Sequence, residues 1–164
     1  MAGWPILVIG VASILAAIAY TGGPFPFGYY GLGEFFVFLF FGLAAVCGTY
    51  YAHLQSLDIL AIVSSLPMGF LITAILVVNN LRDIETDRLA GKRTLAVRLK
   101  VPGTRVEFLL LIIAAYTTSL VMWLTNLSTV WIMLSWLSLP LAISMIKMIW
   151  KVSGRPLNFA LAGT

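Results

Sequence analysis

Charge is what this sequence has least of: Asp, Glu, Lys and Arg make up 10% of its 164 residues, against roughly 25% in a soluble domain. Apolar residues fill the deficit, at 61% of the chain and a mean hydropathy of +1.02. That composition cannot build a water-facing surface, which leaves lipid as the solvent. In lipid every backbone N–H and C=O needs an internal partner, so only helices or a closed barrel remain. A barrel strand alternates apolar and polar residues, and runs such as ILVIGVASILAAIA and FLITAILVV do not. The fold expected is all-α, a polytopic bundle of transmembrane helices.

Other scarcities narrow the chemistry. A single cysteine, Cys47, excludes an internal disulfide and a thiolate metal cluster; inside an apolar run it reads as a small buried hydrophobe. The one histidine, His53, has no second His and no nearby Cys with which to share a metal, and reads as an interfacial residue at a helix end. The patterns GxSxG, HExxH and paired CxxC are absent. Lys and Arg are too few and too close to the apolar runs for nucleic-acid binding. The opening MAGW has no charged region before its first apolar run, so no cleavable signal peptide is expected.

What is present is five apolar runs, each near the ~20 residues that cross a bilayer: Pro5 to Thr21, Phe35 to Ala52, Ile59 to Asn80, Val106 to Leu124 and Val130 to Trp150. The segment 81–105 is read as the charged loop between the third and fourth. Seven of the ten Lys and Arg lie there, and Lys147, Lys151 and Arg155 lie at the C-terminal end of the chain. With antiparallel spans those two regions share a side, and the opposite side receives no Lys or Arg. The positive-inside rule makes the charged side cytoplasmic. The same parity puts the loop from Gly22 to Glu34, rich in Gly, Pro and aromatics, on that side, facing the charged segment.

The stretch from Asn79 to Leu99, NNLRDIETDRLAGKRTLAVRL, holds most of the charge. If the helix runs past Asn80, Asp83 and Asp87 sit one turn apart on one face, with Glu85 turned away. Two such carboxylates suit a hard cation such as Mg²⁺, which is usually held by one or two carboxylates with substrate phosphates and water. Gly91 then allows a turn, and Lys92 and Arg93 follow where they would meet phosphate oxygens. Asn79 and Asn80, costly in lipid, are expected to point into the bundle. A plain exposed helix with i,i+4 ion pairs gives a similar pattern, and topology alone makes a cytoplasmic loop basic. The acids, which topology does not require, and the two asparagines inside the span favour a site. GKRT is not a P-loop, because position 86 is Thr86 and no strand precedes it. Asn126 to Ser128 fits the three-residue glycosylation pattern. The aromatics Tyr20, Phe25, Phe27, Tyr29 and Tyr30 read either as an interfacial belt or as a pocket wall for a flat or cationic species.

NNLRDIETDRLAGKRTLAVRL resembles the second aspartate-rich motif of the membrane-embedded aromatic prenyltransferases. Its AGKRTLAVRL ending is most similar to the 1,4-dihydroxy-2-naphthoate polyprenyltransferases of that superfamily. YTGGPFPFGYYGLGE, from Tyr20, and GTYYAHLQS, from Gly48, are similar to segments after the fourth helix and at the end of the fifth. The resemblance implies a nine-helix parent fold in the plasma membrane with its site on the cytoplasmic side. It implies transfer of a polyprenyl group from polyprenyl diphosphate to 1,4-dihydroxy-2-naphthoate, with loss of CO₂ and diphosphate, giving demethylmenaquinone. It further implies Mg²⁺ on the catalytic carboxylates Asp83 and Asp87, a diphosphate site shaped by Asn79, Asn80, Arg82, Lys92 and Arg93, and an acceptor wall at Tyr20. The superfamily's first aspartate-rich motif is absent. The chain is therefore expected to be an internal fragment whose Met1 is no natural start, whose tail from Ser153 to Thr164 begins a further helix, and which has no turnover alone. The alternatives are a phytyl- or 4-hydroxybenzoate-type relative, or a non-enzymatic transporter fragment. The transporter reading calls for charges inside several spans, or for broken helices paired across two halves, and neither shows in the pattern. The aspartate motif of CDP-alcohol phosphotransferases is not matched.

Overall fold

A computed structural model of the chain describes residues 3–152, 154 and 156; the expectations on Met1 and on the tail fall outside the described residues, apart from Gly154 and Pro156. Five helices are long and apolar enough to cross a membrane: α1 (Gly3–Thr21), α2 (Gly33–Leu54), α3 (Ile59–Leu89), α4 (Leu95–Leu124) and α5 (Val130–Lys151). There is no strand among the described residues.

The core lies between α3 and α4. Ala74, Val77, Val78, Leu81 and Ile84 of α3 meet Ala96 and Phe108 of α4 and Ile149 of α5. Their three- and four-residue spacing on α3 is that of one helix face. This face explains the largest departure from the sequence reading. Segment 81–105 is not a loop: Leu81 and Ile84 are buried, so α3 continues through the charged residues to Leu89, and α4 already begins at Leu95. Only residues 90–94 connect them. Helix α4 bends at Lys100, whose φ of 57° and ψ of 178° are non-helical, just ahead of Pro102.

Two further helices are interrupted. Residues Phe38–Ala44 of α2 form a π-helical stretch, and Val130–Ser138 of α5 are 3₁₀. The π-stretch lies where α2 crosses α3 at closest approach. A Cβ on Gly42 would stand 2.5 Å from the Cα of Gly69, and one on Gly69 would stand 2.7 Å from the Phe38 ring. Backbone touches backbone here, the small-residue packing that holds helices together where lipid removes the hydrophobic drive. Helix α1 buries no residue and rests on the aromatic loop and α2. His53 is exposed in the last turn of α2. Cys47 is only partly buried, because its face of α2 lies away from the α2–α3 crossing at Gly42.

Candidate functional site

The charged turn has a defined backbone. At the end of α3, Gly91 takes φ +74°, a conformation that side-chain-bearing residues rarely adopt. Its N–H donates to Arg88 O at 3.1 Å, and the next N–H, of Lys92, donates to Asp87 O at 2.9 Å. This is the reciprocal closure of a Schellman turn. It returns the chain over the last helical turn, so the Lys92 ammonium donates to Asp87 Oδ1 at 2.8 Å. The Lys92 ammonium also stands 4.8 Å from the Tyr29 ring centroid, within cation–π range. The Asp87 hydrogen bond raises the Lys92 pKa above its ordinary value, against a smaller opposing effect of burial, so this cation stays charged throughout the neutral range. One turn earlier the Arg82 guanidinium grips Asp83 with two bonds, Nε to Oδ1 at 2.8 Å and Nη2 to Oδ2 at 2.6 Å. Asp87 is buried, while the Asp83 side chain is 37% exposed. Glu85 turns outward to Arg88, as the helical spacing predicts.

The aromatic loop docks on this turn. The Arg93 N–H donates to Tyr29 O at 2.7 Å, and Arg98 Nη2 donates to Tyr30 O at 2.7 Å. Gly31, at φ +78°, sits so close that a Cβ there would lie 3.2 Å from Arg93 O. The juxtaposition expected from helix parity is therefore a direct contact. The Arg93 side chain is exposed. Tyr20, at the end of α1, lies against two glycines of the loop: a Cβ on Gly28 would be 2.9 Å from its ring, and one on Gly33 would be 3.0 Å from its hydroxyl. Its ring meets Phe27 edge-on at 5.7 Å, and Phe27 stacks on Phe36 at 4.0 Å. These rings form one end of an apolar groove of about 540 Å³ between α1 and α2, which continues past Ile9, Ser13 and Phe40. Of the two readings of the aromatics, the pocket wall describes Tyr20 and Phe27, while Phe25 is exposed.

Behind Tyr20 lies a polar cluster. The Asn80 amide donates to Glu34 Oε1 at 2.8 Å. Asn79 does not join it: neighbouring residues on a helix diverge by about 100°, and Asn79 is exposed. Only one of the two asparagines points into the bundle as expected. The cluster also holds Glu107, within electrostatic reach of Glu34, and each of these acids has a buried Oε2 without a hydrogen-bond partner. Glu107 is a charge-bearing group inside a span, a feature the sequence pattern did not expose. A lone Glu two residues after Arg105, at a span edge, looks interfacial, and its neighbour Glu34 is distant in sequence.

Residues 1–158 match the UbiA prenyltransferase family. The chain belongs to that family. Among its relatives it is 49% identical to a 1,4-dihydroxy-2-naphthoate octaprenyltransferase of Haemophilus influenzae, over 65% of this chain and 35% of that protein. It is 41% identical to the enzyme of that name from Mycobacterium tuberculosis, over 84% of this chain and 46% of the relative, and 37% identical to that of Escherichia coli, over 88% and 47%. The chain thus spans half or less of the length of these relatives. No solved structure matches it.

A divalent cation of the kind the UbiA prenyltransferase resemblance implies can be tested against these donors. Among the described residues no group of three or more His, Cys, Asp or Glu converges as a metal cage. Asp83 and Asp87 lie one turn apart; both Asp83 oxygens accept from Arg82 and Oδ1 of Asp87 accepts from Lys92, so an open Mg²⁺ site that shares these carboxylates with phosphate oxygens would displace part of that pairing. The donor chemistry fits that case.

Proposed function

We propose that this chain carries the diphosphate-binding side and part of the acceptor wall of a membrane prenyltransferase. The reaction moves a polyprenyl group from its diphosphate to 1,4-dihydroxy-2-naphthoate, with release of diphosphate and CO₂. The observation that carries this reading is the packing of the Asp87–Lys92 turn against the Tyr29–Gly31 loop, which brings charged and aromatic groups together at one end of the bundle. The names of the relatives supply the acceptor.

Asp83 and Asp87 would hold Mg²⁺, and the chemistry it would supply there is electrostatic stabilisation of a departing diphosphate. Lys92, Arg82 and Arg93 present the cations that suit the remaining phosphate oxygens. The rings of Tyr20 and Phe27, at one end of the groove, would offer π-electron density to positive charge growing on the allylic carbon. The apolar groove alongside Ile9 and Phe40 takes the prenyl tail, open to lipid. The concentration of Lys and Arg at this end supports a cytoplasmic orientation in the plasma membrane. A transporter role has less support: the interruptions in α2, α4 and α5 lack the paired, two-halved arrangement it requires.

The test is an assay of the full-length protein in membranes with polyprenyl diphosphate and Mg²⁺. With 1,4-dihydroxy-2-naphthoate, one CO₂ is expected per prenylated product, and 4-hydroxybenzoate should give little or none. Preference for 4-hydroxybenzoate, or no transfer to either acid, contradicts the reading. The 164-residue chain by itself, with one aspartate-rich motif, is expected to show no turnover.

A further inference from the structure

A buried acceptor oxygen without a donor is costly, so such a group calls for an explanation. Glu34 is 8% exposed, its Oε1 is fixed by Asn80 at 2.8 Å, and its Oε2 is buried and unpartnered. Glu107 adds a second buried, unpartnered Oε2 within electrostatic reach. Neither acid has a cation among the described salt bridges. The hydroxyl of Tyr20, whose ring lines the apolar groove, lies beside Gly33, the neighbour of Glu34, and the cations Arg82, on α3, and Lys92, in the turn after it, lie towards the charged end.

We propose that Glu34 is the hydrogen-bond acceptor for an aryl hydroxyl of the acceptor substrate, and that Glu34 and Glu107 together set which way that substrate enters. The inference rests on the aromatic-acceptor reading above and adds its recognition and orientation. Two unpartnered acid oxygens attract a donor and repel a carboxylate. A hydroxylated aryl acid is therefore held hydroxyl inward against Glu34, with its carboxylate outward. In 1,4-dihydroxy-2-naphthoate the 1-hydroxyl is engaged by the adjacent carboxylate, which leaves the 4-hydroxyl on the far side of the ring system as the free donor. Glu34 is then a specificity-determining residue, and Asn80 is a positioning residue that holds its carboxyl in place.

The experiment compares binding of 1,4-dihydroxy-2-naphthoate with 1-hydroxy-2-naphthoate, which lacks the 4-hydroxyl, to the full-length protein in nanodiscs. The wild type should prefer the diol by roughly 10- to 100-fold, the worth of a hydrogen bond to a charged group. Glu34→Ala should bring that ratio close to one while leaving the KM for polyprenyl diphosphate unchanged, and Glu34→Gln, still an acceptor, should restore part of it. Asn80→Ala should lower the ratio in part. If Glu34→Ala does not fold, the Gln and Asn80 variants carry the test. A ratio unchanged in the folded Glu34 and Asn80 variants overturns the inference even if prenyl transfer proceeds. A wild type that neither binds nor prenylates the naphthoate brings down the functional reading instead.

Discussion

Asp87→Asn in the full-length protein is expected to lower prenyl-transfer kcat/KM by about 10³-fold, with normal membrane insertion. Loss of one group that stabilises developing charge in a dry site costs ~10²–10³ in rate. Asp87 should fall at the upper end, because its change acts twice. It removes a carboxylate suited to the metal and leaves the Lys92 ammonium, 2.8 Å away, without its anionic partner. The asparagine keeps the side-chain shape, so the Schellman turn closing on Asp87 O, a backbone atom, persists. Asp83→Asn should cost less, about 10²-fold, because the Asp83 side chain is more exposed and solvent screens its charge. Steady-state kinetics with saturating Mg²⁺ measures both. Activity within threefold of wild type for Asp87→Asn would remove this residue from the site.

Gly42→Ala should be the most destabilising single substitution in the helix packing. The added Cβ would lie 2.5 Å from the Gly69 Cα and 3.1 Å from its N. No side chain is available to swing aside, so α2 and α3 must separate along their crossing. Overpacking of this kind costs about 3 kcal/mol, and at a small-residue crossing in lipid it also removes the close approach that holds the pair. An apparent Tm roughly 5–10 °C lower follows for detergent-solubilised protein. Gly10→Ala, which faces open space, serves as the control and should leave the Tm in place. Equal thermal stability of the two variants would show that the α2–α3 contact is not the one described.

How much of this was legible in the sequence depended on whether the cause was local. The five spans follow from apolar run length. Facing loops follow from parity, and Gly91 announced the turn that brings Lys92 back to Asp87. The Asp83–Asp87 spacing and the outward Glu85 follow from 3.6-residue periodicity once α3 continues. What the pattern hid was the continuation itself. Charged residues interleaved with Leu81 and Ile84 read as a loop until Ala96 and Phe108 of α4 are seen to bury those two side chains. The π-stretch in α2 answers a contact with Gly69 across the bundle, and no residue within Phe38–Ala44 declares it. Glu34 and Glu107 come within electrostatic reach only through the packing of α2, α3 and α4, so their orphaned oxygens are a property of the fold. Both asparagines are expected to point inward; only Asn80 does, because it is the one that reaches Glu34.

The measurement that bears most directly on the central claim is the affinity of the full-length protein for a non-cleavable polyprenyl diphosphate analogue, titrated with and without Mg²⁺ in wild type and in Asp87→Asn. If the aspartate helix and its turn form a metal–diphosphate cradle, Mg²⁺ should tighten binding to the wild type by at least tenfold, and that gain should vanish in Asp87→Asn. Binding that is indifferent to Mg²⁺ in the wild type, or a Mg²⁺ effect of the same size in Asp87→Asn, would contradict it.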